Sequence, residues 1–431
     1  MIDFFRKLLG QKNLNYYHLA AAVAANLIYG FPSRKLRVIG VTGTDGKTTT
    51  VNLIAGILKE AGLKVSFLST INARIGDKEY DTGLHTTTPS PFLLQKLLSQ
   101  MVKNGSRYAV LEVTSHALDQ FRTWGINFET AVATNITHEH LDYHKTYEEY
   151  ARAKAKLFQN VEYGILNMED KSFEYLKNSP STSLTYGVLN AAQVWAEEIR
   201  EELKATDFIV HYFLPSGDPP QGDKFPIHLN LQGRFNVYNA LAAICVGSIY
   251  KVPREAIQKG LEKVSAIPGR MEFIDEGQDF YAMVDFAHTP NALHALFSFL
   301  RPKVAGKLIV VFGAAGERDS AKRPLMGRSA DEVADLIILT REDNRSEYIL
   351  EICKQIASGI QKKVRDRDYF VIPDRREALG FALRQARSGD LVVICGKGHE
   401  QSLNIDGAEI PWDDRKVMRE ELKKLNVEYK I

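Results

Sequence analysis

The stretch that decides the fold is LRVIGVTGTDGKTTTVNLIAGILKEAG, residues 36–62. Its first six residues form a short apolar run that is typical of a buried strand. The helix predicted after the glycine-rich turn has one apolar face, made of Val51, Ile54, Ile57, Leu58 and Ala61. Gly62 is a helix stop signal, and KVSFLST supplies a second strand. Strand, loop, helix and strand in this order are the context that a phosphate-binding loop requires.

The loop departs from the strict pattern G-x-x-x-x-G-K-[ST]. Gly46, Lys47 and Thr48 match it, but Val41 stands where the first glycine belongs. Backbone N–H groups from Gly43 to Lys47 can still bind an anion at the positive end of the helix. Lys47 can reach the outer phosphates of a nucleotide, and the hydroxyl of Thr48 can hold Mg²⁺. A glycine-rich turn without function is the alternative.

Composition limits the classes of function. The 431 residues include 55 Lys+Arg and 53 Asp+Glu, a net charge of +2, which argues neither for nor against nucleic acid. Three cysteines without a CxxC pair indicate a reduced, cytoplasmic compartment with neither a disulfide framework nor a zinc knuckle. We expect small-molecule substrates and no nucleic-acid partner.

The first 36 residues contain an alanine-rich apolar run, NYYHLAAAVAANLIYGF. A signal peptide is an alternative, but the run carries His18 and Asn26 and leads directly into the loop. It is short for a membrane span, which needs about 20 apolar residues. The favoured prediction is a helix packed on the body of the protein, without firm membrane association.

The rest of the chain alternates apolar strand patterns with helical ones. The runs YAVLEVT, AVATNI and YGILNM continue the first series, and a predicted hairpin precedes GRF at 233–235. A second series follows: YAMVDFA, KLIVVFGAAG, DLIILT and LVVICGKG. The predicted fold is α/β: a helical segment (1–36), a central P-loop-type ATPase domain with a mostly parallel sheet (37–266), and a Rossmann-like C-terminal domain (267–431).

Eight further motifs follow the loop along the chain, and together with it they resemble a known family. They are EVTSHALDQFR, TNITHEHLDYH, YARAKAKLF, GRFNVYNALAA, IPGRME, DFAHTPNAL, GERDSAKRPLMG and CGKGHEQ. With GTDGKTTT they resemble the Mur ligase family, most of all the UDP-N-acetylmuramoyl-tripeptide synthetases. The resemblance implies that ATP phosphorylates a substrate carboxylate and that an incoming amine converts the acyl phosphate into an amide.

The resemblance also implies a catalytic and metal-binding set. Glu112 and His140 match Mg²⁺ ligands, with Thr48 on the ATP side and Lys47 at the phosphates. Lys154 matches the lysine that the family carries as a CO₂-derived carbamate. Imidazole is an unusual partner for Mg²⁺, so from the residues alone zinc or no metal stays open. Without the resemblance, the sequence would predict that Lys154 and Lys156 are both solvated lysines on a helix.

Nucleotide and substrate contacts follow from the same motifs. The implied ATP-binding residues, the last three of which belong to the second domain, are Gly43, Thr44, Asp45, Gly46, Lys47, Thr48, Thr49, Asn236, Asn239, Arg270, Asp285 and His288. The implied muramoyl-peptide contacts are Thr87, Thr88, Thr114, Gln120 and Arg122. Thr114 stands where the family commonly has serine, and Glu139 where it has aspartate.

The sequence departs from the family pattern at two places that concern the substrates. About 36 residues precede the first strand, too few for the family's uridine-binding domain, so we expect poor discrimination for a UDP-linked acceptor. Diaminopimelate-adding members carry DNPR; gapless counting places Glu342, Asp343, Asn344 and Arg345 there. Arg345 is kept, and Arg318, Gly396 and Glu400 also match amino-acid contacts. Diaminopimelate is therefore favoured over lysine.

Two other functions remain as alternatives. A folylpolyglutamate-synthetase-like ligase uses the same chemistry, but EVTSHALDQFR argues against it. A non-catalytic regulatory protein on a ligase scaffold is disfavoured by the intact Lys47, Glu112, His140 and Lys154. The oligomeric state and the amino acid added stay open.

Overall fold

The protein consists of two compact units, each with its own sheet. The computed structural model describes residues 2–71, 73–80, 88–137, 141–189, 192–213 and 222–428. One unit ends at Ser265 and the other begins at Ala266.

The first unit is built from eleven described strands and nine described helices. The strands are β1 (Arg37–Thr42), β2 (Val65–Leu68), β3 (Ala73–Ile75), β4 (Lys78–Tyr80), β5 (Tyr108–Glu112), β6 (Phe128–Ala133), β7 (Tyr163–Asn167), β8 (Thr182–Gly187), β9 (Val194–Glu201), β10 (Thr206–Phe213) and β11 (Gly222–Leu229). The helices are α1 (Ile2–Tyr29), α2 (Lys47–Glu60), α3 (Pro91–Lys103), α4 (Ser115–Asp119), α5 (Leu141–His144), α6 (Tyr147–Ala155), α7 (Phe173–Leu176), α8 (Arg234–Ile249) and α9 (Arg254–Glu262), with 3₁₀ turns at Pro32–Lys35 and Lys156–Phe158.

The described strands of this unit form one sheet in the order β11-β10-β9-β8-β7-β6-β1-β5-β2-β3-β4. The seven central strands, from β9 to β2 in this order, pair in parallel. The two strands at each edge are added in antiparallel fashion, through the pairs β9–β10, β10–β11, β2–β3 and β3–β4. The predicted mostly parallel α/β sheet is therefore confirmed. The predicted hairpin is β10–β11, with residues 214–221 of its connection outside the described residues. Strands β8 and β9, which extend the sheet to this hairpin, were not predicted.

Helix α2 ends as the sequence predicts. The N–H of Gly62 donates to Lys59 O at 3.0 Å and that of Leu63 to Leu58 O at 3.0 Å, the Schellman pattern. Its burial is wider than one face, because Leu53 and Ala55 are buried as well. The helix lies between the sheet and the helices α8 and α9, so it has apolar neighbours on two sides.

Helix α1 packs on the first unit, as predicted. It contacts α3, and Ala22, Ala25 and Asn26 are buried. The amide of Asn26 donates to Trp124 O at 2.8 Å. Within the described part of the chain, none of the helices combines the length and the apolar character that a membrane span requires.

The second unit has a six-stranded sheet and a small hairpin in its described part. Its strands are β12 (Glu272–Phe273), β13 (Tyr281–Asp285), β14 (Leu308–Phe312), β15 (Leu336–Leu339), β16 (Tyr369–Val371), β17 (Leu391–Cys395), β18 (Ser402–Ile405) and β19 (Ala408–Pro411). Its helices are α10 (Pro290–Leu300), α11 (Lys322–Asp331), α12 (Ile349–Ala357), α13 (Arg375–Gln385) and α14 (Asp414–Glu428), with a 3₁₀ turn at Arg301–Lys303.

The sheet order is β12-β13-β17-β14-β15-β16, and every pair except β12–β13 is parallel. The carboxyl ends of β13, β14, β15 and β17 therefore meet at one edge, where open α/β sheets bind ligands. Four sequence motifs begin at or just after these strand ends: DFAHTP, GERDSAK, EDNR and CGKGHE.

Candidate active site

The predicted phosphate loop joins β1 to α2. Gly46 has a φ of 80°, a conformation that glycine adopts without strain, and it precedes the first residue of α2. A Cβ on Gly46 would overlap the Asn239 side chain, and one on Gly43 would overlap that of Thr134. The loop is therefore packed against its surroundings on two sides.

Hydrogen bonds hold the loop to the segment that follows β6. The N–H of Thr137 donates to Thr44 Oγ1 at 2.9 Å, and the N–H of Asp45 donates to Asn135 Oδ1 at 2.9 Å. Thr134 Oγ1 donates to Asp45 O at 2.6 Å. These contacts fix the loop backbone before any ligand binds.

Lys47 lies folded over its own loop. Its ammonium donates to Gly43 O at 3.0 Å and to Thr44 O at 2.6 Å. A flexible side chain held by two carbonyls can exchange them for phosphate oxygens. The position suits the predicted role at the outer phosphates.

Glu112, at the end of β5, is 1% exposed rather than a solvated strand-end charge. Thr48 Oγ1 donates to Glu112 Oε2 at 2.9 Å. Thr70 donates to the same carboxylate through its N–H at 2.9 Å and its hydroxyl at 2.8 Å. A buried carboxylate beside a hydroxyl, at a phosphate loop, is the hard-oxygen donor set that Mg²⁺ prefers. The residues present thus fit this metal.

Lys154 is buried and reaches the phosphate loop from α6. It is 1% exposed, and its Nζ donates to Gly43 O at 2.7 Å. The same ammonium lies 4.6 Å from the centroid of the Tyr150 ring. Lys156 points elsewhere and pairs with Asp119 at 2.8 Å. The reading of both lysines as solvated is wrong for Lys154.

The predicted histidine ligand belongs to the segment between β6 and α5. His140, with His138 and Glu139, lies outside the described residues. His144 is buried, with its Nε2 3.0 Å from Ser115 Oγ. In the described part of the chain, no three His, Cys, Asp or Glu side chains converge as a metal site.

The candidate acceptor contacts converge beside Glu112. Thr88 Oγ1 donates to Glu112 O at 3.2 Å and accepts from the N–H of Thr114 at 3.1 Å. Arg122 donates to Thr88 O at 2.6 Å, and burial lowers its pKa. Gln120 follows α4, on the same segment. Thr87 lies outside the described residues.

Asn236 and Asn239 form a buried network behind the loop. Asn239 Nδ2 donates to Asn236 Oδ1 at 3.0 Å, and Thr50 Oγ1 donates to Asn239 Oδ1 at 3.3 Å. Asn236 Nδ2 donates to Gln232 O at 2.9 Å. Both amides therefore support the loop, whether or not they also bind adenine.

In the second unit, Asp285, Arg270 and His288 lie together at the carboxyl end of β13. The Asp285 carboxylate accepts from Met271 N–H and Ala287 N–H, both at 2.7 Å, and burial raises its pKa. The guanidinium of Arg270 lies 4.3 Å from the Phe286 ring centroid. His288 Nδ1 lies 3.0 Å from Phe286 O.

The predicted selectivity residues meet around an internal lysine. Lys397 Nζ is 2.8 Å from Asp343 Oδ1 and also pairs with Glu400. Burial acts to lower the pKa of Lys397, yet both carboxylates outweigh it and hold that pKa above its usual value. Glu400, which matches an amino-acid contact of the family, is therefore already paired with an ammonium of the protein.

Sequence reasoning missed several residues of these sites. Thr70 follows β2, beside β5, and a hydroxyl at a neighbouring strand end was the available signal. Lys397 lies inside the CGKGHEQ motif, but its partner Asp343 is distant in sequence. Glu342, which gapless counting places in the selectivity segment without a role, is buried with Oε2 unpartnered in the described structure, and burial raises its pKa.

A phosphate loop with a buried carboxylate and lysine, followed by a second α/β unit, defines the class of ATP-dependent acid–amino-acid ligases. Residues 41–247 match the Mur ligase middle domain, and residues 269–398 match the Mur ligase, glutamate ligase domain. The chain belongs to the Mur ligase family, in the branch of the muramoyl-tripeptide synthetases.

Individual relatives support that assignment. The UDP-N-acetylmuramoyl-L-alanyl-D-glutamate–2,6-diaminopimelate ligase of Caldanaerobacter subterraneus is 41% identical over 93% of this chain and 81% of the relative. The UDP-N-acetylmuramyl-tripeptide synthetase of Borreliella afzelii is 40% identical over 94% of this chain and 80% of its own.

Solved structures agree with the fold. A UDP-N-acetylmuramoyl-L-alanyl-D-glutamate–2,6-diaminopimelate ligase matches with a TM-score of 0.63 at 34% identity, over 91% of this chain and 79% of that one. The folylpolyglutamate synthase of Mycobacterium tuberculosis has a TM-score of 0.73 at 16% identity, over 89% and 93% of the two chains. The second likeness shows a shared fold alone.

Proposed function

We propose that this protein adds an amino acid, diaminopimelate first among the candidates, to a muramoyl dipeptide in peptidoglycan precursor synthesis. The observation that carries the proposal is the buried group of Thr48, Glu112 and Lys154 around the phosphate loop. Relatives named as diaminopimelate ligases, and Arg345 in the selectivity segment, favour that amino acid. We assign the reaction to the cytoplasm, because it consumes ATP.

The reaction has two steps. An oxygen of the acceptor carboxylate attacks the γ-phosphorus of ATP, and the bond to the β-phosphate oxygen breaks, giving an acyl phosphate and ADP. The amine of the incoming amino acid, after losing a proton, attacks the acyl carbon. The tetrahedral adduct then expels phosphate, and an amide remains.

The contribution of the protein is to bring anions together and to offset their charge. Lys47 would exchange its loop carbonyls for phosphate oxygens, and the loop N–H groups would bind the β-phosphate. Mg²⁺ held by Thr48, Glu112 and His140 would neutralise charge on the nucleotide. Arg122, beside Thr88, would bind an anionic part of the acceptor.

Lys154 is proposed as a carbamate in the active enzyme. The neutral amine would attack CO₂, forming an N–C bond and releasing one proton. The product is an anion in a buried position next to the loop, where it can serve a metal or orient a neighbouring group. The hydrogen bond from Lys154 Nζ to Gly43 O, at 2.7 Å, supports this role over that of a surface lysine.

A substrate matrix tests the function. Purified protein with ATP and Mg²⁺ would be offered UDP-linked and nucleotide-free muramoyl dipeptides, and a folate substrate, against diaminopimelate, lysine, ornithine and glutamate. Phosphate release and product mass are measured. We expect turnover only with a muramoyl dipeptide, fastest with diaminopimelate. Turnover with folate and glutamate, or none with any pair, would reject the proposal.

A further inference from the structure

Two loops of the second unit leave adjacent parallel strands at the same sheet edge. One follows β14 and carries Arg318, and the other follows β15 and carries Arg345. Both arginines are candidates for binding the incoming amino acid. Their separation therefore decides whether one small molecule can bridge them.

The two loops are joined directly. The N–H of Gly316 donates to Asp343 O at 2.8 Å, and the N–H of Ser346 donates to Glu317 Oε1 at 3.3 Å. The Ser346 hydroxyl also bonds to Glu317, and the Glu317 N–H bonds to the Glu347 carboxylate. Hydrogen bonds from Ser346 lower the pKa of Glu317, and the charge of Arg345 adds to that effect.

One residue in each loop has a left-handed backbone. Glu317 has a φ of 53° and Arg345 a φ of 52°. Neither is glycine, so each conformation costs energy and persists only where the surroundings hold it. Something must stabilise both loops at once.

A single buried guanidinium, that of Arg323, reaches both loops. Arg323 lies in the first turn of α11 and is 1% exposed. It binds Glu347 with both terminal nitrogens, Nη1 at 2.7 Å and Nη2 at 3.0 Å. Its Nη2 also donates to Ala315 O in the other loop at 2.9 Å, and Nη1 to Gln355 Oε1 on α12 at 2.7 Å.

We infer that Arg323 is a positioning residue for amino-acid recognition: its planar guanidinium sets the spacing of the loops that carry Arg318 and Arg345. This inference rests on the proposed function, in which these loops receive the incoming amino acid. A lysine would keep the charge but not the fork that binds Glu347 and Ala315 together. Arg323 itself need not touch the substrate.

The test compares Arg323→Lys with Arg376→Lys. Arg376 binds Glu421 at 2.9 Å and Glu420 at 2.7 Å on α14, and neither of these partners belongs to the two loops. For Arg323→Lys we expect the KM of the incoming amino acid to rise at least about tenfold. The KM values of ATP and of the acceptor should stay within about twofold, and Arg376→Lys should resemble the wild type.

Glu347→Gln provides a second route, because it weakens the same fork without altering Arg323. It should also raise the KM of the incoming amino acid. If circular dichroism shows Arg323→Lys to be unfolded, Glu347→Gln alone tests the positioning role. A lower Tm with unchanged KM values would mean a purely structural role and overturn the inference. An equal rise for ATP and the amino acid would overturn it too. A wild-type enzyme without ligase activity would instead reject the proposed function.

Discussion

The ammonium of Lys154 lies 2.7 Å from the carbonyl oxygen of Gly43, so a lysine of α6 is bound directly to the phosphate loop. The two residues are 111 positions apart in sequence. Since the lysine is also buried, its charge state affects the loop and whatever the loop binds. Catalysis by this protein should therefore depend on Lys154 far more than on its neighbour Lys156.

Lys154→Ala is expected to leave little ligase activity, and a short carboxylic acid such as acetate or formate should restore part of it. The added carboxylate would replace the anion that the proposed carbamate supplies. Initial rates with and without the acid measure the effect. Lys156→Ala is the matched control and should retain activity. Full activity in Lys154→Ala would refute a role for the carbamate.

Lys47→Ala should abolish ATP turnover while the protein stays folded, because this ammonium acts on phosphate charge and not on the core. ADP formation and the circular dichroism spectrum are the two measurements. Lys59→Ala changes an exposed lysine at the other end of α2 and should behave as the wild type. Equal ADP formation in both variants would contradict the assignment of the loop.

Glu112→Gln should raise the Mg²⁺ concentration needed for half-maximal activity at least about tenfold, since a neutral amide binds a divalent cation poorly. The amide oxygen can still accept from Thr70, so the fold should persist. Glu129→Gln, on strand β6 of the same sheet, is the control. An unchanged Mg²⁺ requirement in Glu112→Gln would show that this carboxylate does not serve the metal.

Arg345→Ala should raise the KM of diaminopimelate far more than that of ATP, because a guanidinium and a carboxylate form a charge-assisted pair. A hundredfold loss in kcat/KM would correspond to about 2.7 kcal/mol of binding. Arg365→Ala alters an arginine with a 66% exposed side chain in the same unit and serves as control. Equal losses for both substrates would count against the selectivity role.

Glu342→Gln tests the buried carboxyl. Burial raises its folded pKa, so its contribution to stability is present at low pH and is lost as pH rises through that pKa. The Tm of Glu342→Gln relative to wild type should therefore increase between about pH 4 and pH 8. Glu347 has a pKa lowered by Arg323, so its contribution to stability is lost as pH falls below about 5, and Glu347→Gln should gain Tm relative to wild type in that lower range, the opposite trend. Parallel trends would contradict this account.

The sequence predicted the parts of the fold that are local. Residues 36–62 showed the strand, loop and helix, and Gly62 ends α2 as expected. Strands β8 and β9 were missed because neither is a continuous apolar run: polar residues such as Thr185 and Glu197 alternate with the buried ones. Their pairing partners are the adjacent strands of the chain, since Tyr163 of β7 pairs with Thr182 and Tyr186 of β8 pairs with Val194.

The site was less predictable, because its residues meet only through tertiary contacts. Lys154 and Lys156 differ by two positions, and nothing in YARAKAKLF shows which one is buried. The resemblance selected Lys154. The pairing of Asp343 with Lys397 and the double contact of Arg323 could not be predicted, since each joins segments that periodicity does not relate.

The central claim, that ATP phosphorylates the acceptor carboxylate, is tested most directly by isotope transfer. The muramoyl dipeptide would carry ¹⁸O in both oxygens of its reacting carboxylate, and the released phosphate would be analysed by mass spectrometry. We predict one ¹⁸O in the phosphate for each amide formed, because the acyl–oxygen bond breaks when the amine attacks. Amide formation with unlabelled phosphate would contradict the account.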